Sequence, residues 1–194
     1  MSEKTARFVT KITNPITAGL LSSFLIIQKT NLGSQNKIFW FLTVLIIGFL
    51  PSLLFLAWQI KKGKINDWYL TARHDRYSVL LITAFSSLTV FLLALNLGVD
   101  KLLLSFIAIG LFTNAALFLI TLFWKISVHT AAAAILALVL IFIYSSFFVL
   151  TFFLVFLIGW ARVALRKHTV AQAIAGVLLS TFIFIVIFKL FGFI

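Results

Sequence analysis

The sequence predicts an all-helical, membrane-embedded bundle of six or seven spans, on three observations. Of its 194 residues 63% are hydrophobic and only 10% charged, and the mean hydropathy is +1.19; soluble domains do not reach such values. Apolar runs of about 20 residues, enough to cross the hydrocarbon core as a helix, fill most of the chain. The breaks between them are short and rich in charges and turn formers, with no segment left to build a separate soluble domain. The chain therefore reads as a single integral membrane domain over residues 1–194.

Taken in order, the opening MSEKTARFVTKITNPITAGLLSSFLII joins a basic start to a short apolar run, as a signal peptide does, but continues to Gln28 and Lys29 without a small-residue cleavage site. It reads as an uncleaved first span or a half-buried interfacial helix. Candidate spans then follow at 15–30, 38–60, 78–97, 101–123, 126–144, 147–164 and 171–193. The stretch from Ile126 to Trp160 is too long for one span, and Tyr144-Ser145-Ser146 is its expected hairpin tip. Elsewhere KTNLGSQNK, KKGKINDWYLTARHDRY and NLGVDK mark the loops.

With alternating loops, Lys29, Lys37, Lys101 and Lys189 lie on one face and the other twelve of the 16 Lys and Arg on the opposite face. That bias places the crowded face in the cytoplasm, in a membrane read as a prokaryotic plasma membrane. The net charge of +12 is explained by these loop clusters, so nucleic acid is not an expected partner; the bilayer is. Absence of Cys excludes disulfides and thiol chemistry. The five Trp lie near span ends, as an interfacial belt, and Asn114 inside a span reads as interhelical glue. Oligomeric state is not readable.

All three histidines, His74, His129 and His168, fall on the crowded face near span ends. A lone interfacial His is ordinarily a solvated or capping residue; three on one face beside Arg and Lys point to a site. With only Asp67 and Asp75 nearby and no H-E-x-x-H pair, no metal site and no cofactor are expected. An anion site fits the cations better. Arg166, Lys167 and the Lys61, Lys62, Lys64 cluster read as interfacial cations rather than ligands.

Two stretches carry a resemblance. KISVH places Lys125, Ser127 and His129 at the start of a span, and ARVALRKHTVAQ sets Arg162 six residues before His168 and His168 four before Gln172. They resemble the second and third motifs, P-S-G-H and S-R-x5-H-x3-D, of the type 2 phosphatidic acid phosphatase and vanadium haloperoxidase superfamily. Ile126, Val128, Ala161 and Gln172 stand where the motifs have Pro, Gly, Ser and Asp. For the first motif, K-x6-R-P, RHDRY offers Arg73 and Arg76, with Tyr77 in place of Pro and Lys125 as a substitute cation. The motif regions are thus 73–76, 125–129 and 161–172, and the likeness covers about the last seventy residues well.

The resemblance implies a phosphatidic acid phosphatase/haloperoxidase-like helical core and a metal-independent phosphatase acting on a membrane lipid phosphate or diphosphate, isoprenoid or phosphatidate. It implies His168 as the nucleophile forming a phosphohistidine, His129 as general acid and base, and Gln172 in the orienting position. Arg162, Lys125, Ser127, Arg73 and Arg76 are then the phosphate-binding set, near the cytoplasmic face. Because Gln172 brings no charge, a weak or inactive relative that binds lipid headgroups or serves a structural role stands beside this reading; vanadate-dependent halide oxidation, known from soluble relatives, does not fit the composition.

Overall fold

The computed structural model describes residues 3–65, 67–144 and 150–194, and among these the regular structure is all helical. Its helices are α1 (Glu3–Ile12), α2 (Pro15–Lys29), α3 (Ser34–Lys61), α4 (Arg76–Asn96), α5 (Lys101–Phe123), α6 (Val128–Tyr144), α7 (Thr151–Ala164) and α8 (Val170–Leu190). Among the described residues α3, α4, α5 and α8 are long and apolar enough to cross a membrane, whereas α6 and α7 are apolar but shorter. Four of the expected six or seven spans thus reach crossing length. Of the hairpin tip expected at Tyr144-Ser145-Ser146, Tyr144 ends α6, and Ser145 and Ser146 lie outside the described residues.

Contacts divide the chain into two compact units, Thr30–Lys125 and the remainder, Met1–Lys29 with Ile126–Ile194. In the Thr30–Lys125 unit, α3 carries Pro51 in mid-helix, where the ring would strike the carbonyl four residues back. A π-helical stretch, Val44–Phe49, lies immediately before it and opens the turn that accommodates the ring. The α4–α5 hairpin closes on Gly98, whose φ of +59° suits a residue without Cβ, and on Asp100, whose Oδ1 accepts from the Leu102 N–H at 2.9 Å. Asn114 Nδ2 donates to Ser87 Oγ at 2.7 Å, the α4–α5 cross-link that its place inside a span predicts.

In the other unit the opening segment resolves into two helices. Asn14 caps α2 by accepting from the N–H groups of Ile16 and Thr17, with Pro15 at the first helical position. The shorter α1 buries Ala6 and Thr10 and packs Val9 against Ala133, Ala137, Val155 and Ile158 of α6 and α7. Far along α6 and α8, Phe142, Phe184 and Phe188 stack, with Phe184 and Phe188 4.2 Å apart. Leu178, Phe182 and Leu190 of α8 point outward, as apolar side chains do where the solvent is lipid. This architecture fits an integral membrane protein.

Candidate active site

At the start of α6 the chain leaves Trp124 extended and turns at Ser127, whose β-region backbone and hydroxyl cap the helix by accepting from the Thr130 N–H at 3.4 Å. His129 follows in the first turn, buried, beside backbone N–H groups that have no partner in the preceding turn of helix.

The second element is the turn after α7. Arg162 lies two residues before the helix end at Ala164 and is 1% exposed. Its carbonyl accepts from the N–H of Lys167 at 3.0 Å and of His168 at 3.2 Å, while Arg166 N–H donates to Val163 O at 2.8 Å. These bonds make a Schellman cap in which Arg166 takes the left-handed position, φ +51°, usually filled by Gly. The five-residue spacing between Arg162 and His168 is therefore the length of one helix cap, which returns His168 to the backbone of Arg162.

The cap leads directly into α8. Thr169 accepts the Gln172 N–H on its hydroxyl, and Gln172 Oε1 accepts the Thr169 N–H at 3.2 Å, a complete capping box. The same Oε1 lies 3.1 Å from His168 Nδ1. A backbone N–H can only donate, so the atom of the Gln172 amide turned to it is the oxygen. His168 then donates from Nδ1, so in the neutral ring Nε2 is the nitrogen without a proton.

Three contacts bring these elements together. Ser127 N–H donates to Gln172 O at 3.2 Å, and Thr130 Oγ1 donates to Ala173 O at 2.9 Å. Gly176 permits this approach, since a Cβ there would overlap Ser127 O and Thr130 Oγ1. Gly159 of α7 faces Thr130 and Ala173, and Arg162, three residues on, shares that face. Two helix N-termini, two buried histidines and a buried guanidinium thus occupy one end of the unit. Residues 101–194 contain no Asp or Glu. A buried guanidinium and helix N-termini both bring positive charge to this end of the unit.

The remaining candidates belong to the Thr30–Lys125 unit. Lys125, its last residue, is half-buried. Arg73 is exposed, donates from Nη1 to Leu122 O at 3.1 Å and faces the Tyr77 ring. Arg76 is buried at the start of α4 and donates from Nε to Leu70 O at 2.8 Å. His74 is exposed and pairs with Asp75 at 3.0 Å. Among the described residues no three His, Cys, Asp or Glu converge as metal ligands.

Sequence reasoning did not single out Thr169, Thr130, Gly159 or Gly176. The T-x-x-Q pattern at 169–172 was a readable cap signal; the close approach at Gly176 depends on tertiary packing and leaves no local trace. Among known families, the model of the PAP2 superfamily matches residues 118–193. No curated protein and no solved structure matches the chain.

Proposed function

We propose, on the match of residues 118–193 to the PAP2 superfamily, whose members are generally phosphatases, that the chain is an integral membrane lipid phosphatase working through a phosphohistidine. The observation that carries the reading is the buried Arg162 with His129 and His168 at two converging helix N-termini, in a stretch without carboxylates. A phosphate ester carries charge on three oxygens that such donors suit. Arg162 grips two of them, and Ser127 and the α6 N-terminus serve the third.

In the first step His168 Nε2 attacks phosphorus, the P–N bond forms and the P–O bond to the lipid alcohol breaks, while His129 gives a proton to the leaving oxygen. In the second step His129 takes a proton from water, whose oxygen displaces His168 and releases phosphate. The substrate is a lipid phosphate or diphosphate, isoprenoid or phosphatidate, with its headgroup at the cytoplasmic face. No step calls for a metal. Purified protein in detergent should release phosphate from such lipids with chelator present; complete dependence on added divalent metal overturns the mechanism. The amide of Gln172, which carries no charge, favours one second reading, a lipid-headgroup-binding relative. That reading requires retention of lipid phosphate with no release.

A further inference from the structure

An open apolar groove of about 220 Å³ lies between the α1–α2 corner, α6 and α7. Its α6 wall is Ala133, Leu136, Ala137 and Leu140, which follow His129 by four, seven, eight and eleven residues. Its α7 wall is Ile158, Val155, Leu154 and Thr151, which precede Arg162 by the same intervals. Those intervals mark one face of a helix. The face that carries His129 and the face that carries Arg162 therefore continue, away from the site, as the two walls of one groove.

We propose that this groove seats one hydrocarbon chain of the phosphate ester whose headgroup is held at Arg162, His129 and His168; the proposal rests on the phosphatase reading above. Eleven residues of helix extend the walls to roughly 16 Å below the site, a rise of 1.5 Å each. Small residues, Ala133, Ala137 and Ala18, give the groove its depth. Its third side makes no polar demand, because the hydroxyls of Thr13 and Thr17 are bonded to the carbonyls of Val9 and Asn14. Leu21 and Leu154 at the rim are 46% and 53% exposed, so the groove opens sideways and a chain enters from the bilayer.

A chain that leaves lipid for this groove gains no hydrophobic energy, since lipid is as apolar as Leu. What it gains is alignment: a headgroup tethered by a seated chain meets His168 in one orientation. The groove thus acts on turnover and on chain length more than on affinity. A chain too short to reach Leu136 and Leu154 forgoes the effect.

The test compares hexadecyl phosphate with butyl phosphate on the full chain in detergent. In Leu136→Trp and Leu154→Trp, which fill the groove, the ratio of long-chain to short-chain rates should fall about tenfold or more, whereas Leu178→Trp on the outer face of α8 should leave it unchanged; displaced alignment commonly costs up to about 10² in rate. An unchanged ratio in both groove variants overturns the proposal. Wild-type protein inactive on both esters sinks the phosphatase reading instead, and the groove is then read by photolabelling with a hexadecyl phosphonate bearing a terminal diazirine. Label confined to groove residues and competed by hexadecyl phosphate supports the seat. Label spread over the outer face of α8, or unmoved by competitor, rejects it.

Discussion

His168 Nδ1 lies 3.1 Å from Gln172 Oε1, and that oxygen is also held by the Thr169 N–H at 3.2 Å. The relationship bears on whether an amide can replace the carboxylate that the family's motif has at this position. Behind the catalytic histidine of a serine protease, exchanging carboxylate for amide costs about 10⁴ because the wrong tautomer is favoured. Here the capping box fixes the oxygen toward the ring, so the tautomer is right and only the charge is missing.

Gln172→Glu keeps the length and both contacts of the side chain and adds the charge that stabilises an imidazolium. Steady-state phosphate release should be maintained or rise, by up to about tenfold, well inside the 10⁴ that tautomer loss costs; Gln172→Asp should act in the same direction. Gln172→Leu removes the acceptor and should lower kcat by about 10² or more. Equal rates in the Leu and Glu variants contradict the orienting role.

Gly176 and Gly159 make a contrasting pair. In Gly176→Ala the new methyl meets Ser127 O and Thr130 Oγ1, and overpacking of this kind costs about 1–3 kcal/mol. Activity should fall with it. In Gly159→Ala the methyl reaches Thr130 Cγ2 at 3.7 Å and Ala173 Cβ at 3.9 Å, ordinary contact. Thermal unfolding in detergent should shift for the first and hardly for the second.

Arg166 should matter for its backbone and not for its charge. Arg166→Gly relieves a left-handed conformation that costs other residues about 1 kcal/mol or more, and the variant should keep its activity with equal or higher stability. Arg166→Val, β-branched at the same φ, should lose both. Lys167→Ala should retain most turnover. Loss in Arg166→Gly as large as in Arg166→Val means the cation itself is needed.

Much of the helical framework was legible in apolar run length. The predicted 101–123 is α5, and 15–30, 78–97 and 171–193 agree with α2, α4 and α8 to within a few residues. The opening was less so: α1 mixes Lys4, Arg7 and Lys11 with Phe8 and Ile12, and only its packing on α6 and α7 shows which side is buried. Spacing placed His129 and Arg162–His168 at helix ends, since those ends follow from hydropathy and caps. The turn at Arg166 was hidden because no Gly marks it, and the junction at Gly176 because close approach belongs to the pair of helices.

The central claim is covalent: phosphate passes through His168. Rapid mixing of the protein with a ³²P-labelled lipid phosphate, quenched in alkali to preserve phosphoramidates and mapped by mass spectrometry, tests it most directly. The account gives a base-stable, acid-labile label on His168, formed at the rate of turnover and absent from His168→Ala. Turnover without label on His168, or label undiminished in His168→Ala, contradicts it.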